Sequence, residues 1–167
     1  MTTPAIAVSP TGRDKAIASH IAVATAALIG GALMLLAEVT TVISVDLKTT
    51  SCEGIYDTNP SLADDCNQIG FERHSVALLL LGLLTFAMGS GAAFGRSRPA
   101  AVALIAIGVV VLGLALALDL PASNDTGVIG QDYAEAHATT GSGFWFEILG
   151  GAFAVLAGLL RVIRPDD

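Results

Sequence analysis

Four long apolar runs leave this chain little choice of fold. The first, Ala16 to Ala37, reads "AIASHIAVATAALIGGALMLLA" and is interrupted only by Ser19, His20 and Thr25. The second, Ser75 to Phe94, reads "SVALLLLGLLTFAMGSGAAF" and carries no charge. The third, Ala100 to Leu118, reads "AAVALIAIGVVVLGLALAL" and has no polar side chain. The fourth, Gly143 to Ile163, reads "GFWFEILGGAFAVLAGLLRVI", with Glu147 near one end and Arg161 near the other. Each is close to the ~20 residues a helix needs to cross the hydrocarbon core of a bilayer. Strands of a membrane barrel would be about half as long and would alternate, and these runs do not.

Composition agrees. Only 14% of the 167 residues are charged, against about 25% in soluble domains, and the mean hydropathy is +0.71. The expected fold is therefore an all-α integral membrane bundle of four helices, over about 16–37, 75–94, 100–118 and 143–163. A short flexible N-terminal segment (1–15) precedes it, and a four-residue tail (164–167) follows. Arg13 and Lys15 precede the first run as in a secretory signal. Its apolar part exceeds the roughly 7–15 residues of such a signal and no A-x-A site closes it, so a retained span is expected.

The basic residues orient the bundle. Arg13, Lys15, Arg96, Arg98, Arg161 and Arg164 fall on one side of a four-span plan, and Lys48 and Arg73 on the other. By the positive-inside rule both termini and the "GRSRP" turn are cytoplasmic, in a multi-pass protein of the plasma (cytoplasmic) membrane. Two long loops, about 40–74 and 119–142, then face outward.

The first of these loops holds the only cysteines, Cys52 and Cys66. Outside the cytoplasm such a pair is expected as a structural disulfide. A redox pair in C-x-x-C spacing is absent, and no Cys/His cluster has metal-ligand spacing. No metal or other cofactor is expected. The text "EVTTVISVDL" alternates and is rich in Val and Thr, which predicts a strand over about Val39 to Leu47. In the second loop "QDYAEAHA" is the one helix-like piece, and "TTGSG" reads as a flexible hinge. A small extracytoplasmic cap with two or three short strands, stapled by the disulfide, is expected from the two loops together. Asn124-Asp125-Thr126 in the second loop is an N-x-T glycosylation sequon.

Four spans, cytoplasmic termini and a larger first outer loop that opens with a strand and bears Cys52 and Cys66 resemble the claudin-type tetraspan plan in topology. The Trp-Gly-Leu-Trp then Cys, Cys pattern of that family is absent, since Trp145 lies in the fourth span. Its junctional function is not carried over.

Ionisable residues at the ends of spans are the place to look for function. Glu38, Asp119 and Glu147 sit at the outer ends of the first, third and fourth runs. Helical spacing puts each on a stripe of small residues: Ala27, Gly31 and Glu38; Gly108, Ala115 and Asp119; Glu147, Gly150, Ala154 and Gly158. Such stripes let membrane helices approach closely, so the three acids are expected to face inward near Arg73 and His74. One reading is a cation- or proton-binding vestibule with Glu38 and Glu147 as ligands and His74 as proton acceptor. The other is structural: Arg73 neutralises an acid while the rest reach interfacial water. Deeper in the membrane, Thr25, Thr85 and Ser90 are thin lining for a pore or carrier.

No G-x-S-x-G, H-E-x-x-H, phosphate loop or basic aromatic patch occurs, so neither an enzyme nor a nucleic-acid binder is expected. The expected role is that of a non-enzymatic structural, accessory or assembly partner acting through its cap. Its expected partners are the lipid bilayer and another membrane protein or a second copy meeting its small-residue faces. The alternative is a small transporter or an ion- or proton-coupled carrier using the rim carboxylates.

Overall fold

The computed structural model describes residues 12–47, 66–133 and 135–163. Helix α1 (Gly12–Val39) leads through Thr40 into strand β1 (Thr41–Leu47). Strand β2 (Asn67–Ile69) runs into the short helix α2 (Gly70–His74), followed by α3 (Ala77–Ala93) and α4 (Arg98–Leu114). Helix α4 continues through a π-helical turn, Ala115–Asp119, and a last α-turn, Leu120–Ala122. A single turn, α5 (Ile129–Asp132), precedes strand β3 (Ala136–Thr140) and the closing helix α6 (Ser142–Ile163).

Three helical stretches are long and apolar enough to cross a membrane: Ile17–Val39, Arg98–Ala122 and Ser142–Ile163. Helix α3 is equally apolar but has 17 residues, which spans about 26 Å at 1.5 Å per residue. Helix α6 packs between α1 and α4, and α3 packs on α1 and α4.

Large and small side chains are sorted in the reverse of the soluble pattern. The interior is built from Ala26, Ala27, Ala92, Ala93, Ala100, Ala101 and Ala157 around Val23 and Leu104. Leu28, Leu36, Leu80, Leu83, Val109, Val110 and Leu116 point outward. Small interior residues allow backbones to touch, which drives helix association where solvent offers no hydrophobic incentive. Two seams show this. A Cβ on Gly30 would stand 3.0 Å from the Gly150 carbonyl oxygen, and one on Gly108 would stand 2.5 Å from that of Gly151.

At one end of the bundle β1 is the centre of a three-stranded antiparallel sheet in the order β2-β1-β3. Ile43 faces Thr140 and Leu47 faces Ala136 across β1 and β3. Val42, Ile43, Ala115 and Phe144 form a buried layer joining this sheet to the helices. A second small core, Val45, Cys66 and Ile129, lies within the sheet end itself.

The strand expected over Val39 to Leu47 forms from Thr41, because α1 runs two residues past the expected end at Ala37. Two expectations for the second loop fail. Of "QDYAEAHA", Gln131 and Asp132 do close the helical turn α5, but "AHA" is strand: pairing with β1 outweighs the helix preference of its alanines. "TTGSG" is not a hinge either. Gly141 donates its N–H to the Val42 carbonyl at 2.8 Å, and a Cβ there would collide with the Thr41 carbonyl oxygen. Its glycine serves close approach, as does Gly143, which is buried against Thr40 and Thr41.

Candidate functional site

Three elements bring ionisable side chains together where the sheet meets the bundle. The first is α2. The Glu72 carboxylate accepts the Ile69 N–H at 3.0 Å and starts the helix. Gly70 lies against the backbone of Ala37 and Glu38, where no Cβ would fit. The helix stops at His74 because Ser75 takes φ +57°, a left-handed value that costs a residue with a Cβ roughly 1–3 kcal/mol. That break separates α2 from α3, and Arg73 and His74 turn into the bundle just ahead of it.

The second element is the π-helical turn of α4. Pro121 has no N–H, and its ring would crowd the carbonyl four residues back in a regular helix. The chain widens instead, and the Leu120 N–H bonds to the Ala115 carbonyl, five residues away. Asp119, last residue of this turn, is fully buried while Leu116, Leu118 and Leu120 around it face outward. Such wide turns recur at functional sites. The third element is the first turns of α6, which bury Glu147 completely on the same side as Gly150 and Ala154.

Arg73 Nε donates to Asp119 Oδ1 at 2.7 Å, and Arg73 Nη1 donates to Gln68 Oε1 at 2.9 Å. His74 Nε2 lies 3.0 Å from Asp119 Oδ2 and 3.2 Å from Glu147 Oε1. A single Nε2–H cannot serve both carboxylates. It is directed at Asp119, and neither oxygen of Glu147 receives a hydrogen bond. Donation to Asp119, with the Glu147 carboxylate close by, holds the His74 imidazolium up to about pKa 9 against the opposing effect of burial.

Glu38 stands apart from these four. It is 3% exposed, and its carboxylate faces the first backbone N–H groups of α3, at Leu79 and Leu78, without reaching hydrogen-bond geometry. It is near enough to His74 to act on it through space but does not touch it. The structure thus joins Arg73, His74, Asp119 and Glu147 and leaves Glu38 beside them.

A cleft of about 180 Å³ opens between the sheet and the 122–128 loop and meets the cluster only at Arg73. Gln68, Asp125 and Thr126 line it, and Arg73 forms part of its wall. It connects the sheet end to the guanidinium that holds Asp119.

The other residues singled out from sequence lie elsewhere. Cys66 is buried against Val45 and Ile129, and Cys52 lies outside the described residues, which therefore contain one cysteine and no cysteine pair. His20 is half-buried eighteen residues before Glu38 on α1, which is about 27 Å along a helix. Asn124 is exposed, its amide donating to the Leu120 carbonyl at 3.1 Å. Gln68 was not among the candidates, and nothing local to "CNQIGFERH" marks it as a partner of Arg73.

The cluster offers one imidazole nitrogen and two carboxylates within 4.8 Å of one another, in a buried setting with one guanidinium alongside. It is equipped to hold a proton or a cation. The buried hydroxyls among the described residues are engaged with backbone: Ser123 donates to the Leu120 carbonyl and Thr85 to the Leu81 carbonyl, each at 2.8 Å. Neither is paired with the imidazole as a nucleophile would be. No protein-family model matches the chain, and no curated protein or solved structure matches it.

Proposed function

We propose that this chain is a non-enzymatic multi-pass membrane protein that works as an accessory or assembly partner through the sheet at one end of its bundle. In this reading α3 is a fourth span, lengthened by its turn onto α2. The basic ends, with Arg96 and Arg98 exposed in the α3–α4 turn, face the cytoplasm of the plasma membrane. The sheet is then extracytoplasmic, and a Cys52–Cys66 disulfide staples it. Cys66 is 1% exposed in the sheet core and is not a free thiol, which supports that pairing.

The observation that carries the proposal is how rigidly the sheet is joined to a closed bundle. β1 follows α1 after Thr40 alone, and β3 enters α6 after Gly141 alone. Arg73 and His74, next to β2, bind Asp119 of α4. Below the cluster the interior is apolar: among the described residues Thr85 is the one buried polar side chain before Arg161, near the far end of α6. A carrier needs polar lining or broken helices at mid-depth. This interior suits a platform that presents a surface, not a pathway.

The test has two arms. Purified protein in liposomes is expected to show no proton or cation flux above empty vesicles. A photoreactive residue at Thr139, exposed on β3, is expected to give a discrete adduct in native membranes, while one at the outward-facing Val109 labels lipid. Flux that Glu147→Gln abolishes would replace the platform with an ion-coupled carrier.

A further inference from the structure

The structure assigns a divalent transition-metal site to the rim of the bundle: His74 Nε2, Asp119 Oδ2 and a carboxylate oxygen of Glu147 form a three-ligand set for Zn2+. The spacing is the first reason. Zinc bonded to imidazole and carboxylate at about 2.0–2.1 Å places tetrahedral ligand atoms about 3.3 Å apart. Nε2 already lies 3.0 Å from the Asp119 oxygen and 3.2 Å from the Glu147 oxygen. The ion enters where the Nε2 proton now sits, and that proton leaves to water.

The second reason is an unanswered carboxylate. Glu147 is fully buried, neither of its oxygens receives a hydrogen bond, and Oε1 is aimed at the imidazole. An ionised group left this way inside a bundle costs several kcal/mol. A bound cation answers it.

The third reason is the division of labour at Asp119. Its Oδ1 is taken by Arg73 and its Oδ2 faces the candidate site. Ligating carboxylates commonly keep such an outer hydrogen bond, which fixes their orientation. Gln68 in turn fixes Arg73.

Charge then selects the valence. The ligand carboxylates Asp119 and Glu147 together bring two negative charges, which one divalent cation or two protons would cancel, while Arg73 stays on the other oxygen of Asp119. One imidazole with two carboxylates suits Zn2+ and is too few oxygens for Ca2+, which takes 6–8. Three protein ligands leave the fourth position to water.

The decisive experiment uses the tag-free full-length chain in detergent micelles, stripped with a chelator and then dialysed against micromolar Zn2+. One ion per chain is expected by elemental analysis, and X-ray absorption at the zinc edge should show one imidazole among oxygen ligands. His74→Gln and Glu147→Gln should each lose the ion. Glu38→Gln, which removes no ligand, should keep it. To keep the test independent of how the ligand variants fold, the wild-type chain is also loaded with Co2+, where four-coordinate binding gives intense visible d–d bands. No uptake by the folded wild type overturns the site. So does uptake with two or more imidazoles, or uptake that persists in both ligand variants, since His20 or His137 would then be responsible.

Discussion

Two glycines on one helix give the sharpest test of how this bundle is packed. Gly108 and Gly113 both lie in α4, five residues apart. A Cβ on Gly108 would stand 2.5 Å from the Gly151 carbonyl oxygen, 2.6 Å from Val155 Cγ2 and 2.8 Å from the Val155 nitrogen. Two of these three atoms are backbone of α6 and cannot swing aside. Comfortable contact begins at about 3.5 Å, so alanine at 108 forces α4 and α6 apart locally by roughly 1 Å. Overpacking of this kind costs about 1–3 kcal/mol, and parting the seam also loosens Gly158 from Ala101, where the same close approach recurs. Against that stands a helix-propensity gain of at most about 1 kcal/mol. Gly113 meets nothing within 4 Å. Alanine there collects the gain, about 0.5–1 kcal/mol, without the clash. The same substitution should thus destabilise at 108 and stabilise at 113, a separation of about 2 kcal/mol. Reversible unfolding in mixed micelles of SDS and a mild detergent, followed by far-UV circular dichroism, resolves that difference. If Gly108→Ala is not at least about 1 kcal/mol less stable than Gly113→Ala, the close α4–α6 seam is wrong.

The rim and the sheet end give further measurements in the same assay. With chelator present, a double-mutant cycle of Arg73→Met and Asp119→Asn should give a coupling of about 1–3 kcal/mol, as expected for a buried charged hydrogen bond; additive effects would mean the 2.7 Å contact is not formed. Ser75→Gly should stabilise by about 0.5–1 kcal/mol by relieving the φ of +57°, and a loss of stability would show that the break after His74 has another cause. Cys66→Ser should cost about 3 kcal/mol in the chain-entropy model if the loop to Cys52 is closed; alkylation of the native protein before reduction would exclude the bond. A cysteine at Ser97 and one at Thr139 should react with an impermeant maleimide from opposite sides of sealed vesicles, and labelling from one side would refute the proposed topology.

How much of this could be read from residues alone depends on whether the cause was local. The long helices could, because apolar runs of membrane length with at most two charges have few other uses. β1 could, because "TVISVDL" is rich in β-branched residues and alternates from Ile43 to Leu47. β3 could not: "AHATT" is extended because β1 offers it hydrogen bonds from nearly a hundred residues away. Gly141 and Gly143 carry the same letter whether a chain bends or is pressed against a neighbour, and only the neighbour decides. The site shows the same division. Spacing on each helix put Asp119 and Glu147 on inward stripes and marked Arg73 and His74 as neighbours in sequence. It could not distinguish Glu38, which lies on an equally good stripe but meets the start of α3 instead of His74. Nor could it supply Gln68. The π-helical turn had one faint signal, Pro121 two residues after a carboxylate in an otherwise apolar run.

The position of the cluster also limits what it can do. It sits where the sheet, α2 and three long helices meet, so any change in its charge acts on the joint between sheet and bundle. Two electroneutral fillings compete there, one divalent cation or two protons, and they differ mechanically. A proton on Glu147 gives it an O–H donor of its own, and the cluster is then held only by hydrogen bonds between neighbouring side chains. A metal ion ties α2, α4 and α6 through His74, Asp119 and Glu147 at once. Metal should therefore stiffen the sheet against the bundle, visible as slower amide exchange in β1 and β2 with Zn2+ than with chelator. The deeper half of the helices, cored by Ala26, Ala93 and Ala101, should exchange at the same rate in both. If exchange slows throughout, the ion is stabilising the whole fold and has no special hold on the joint.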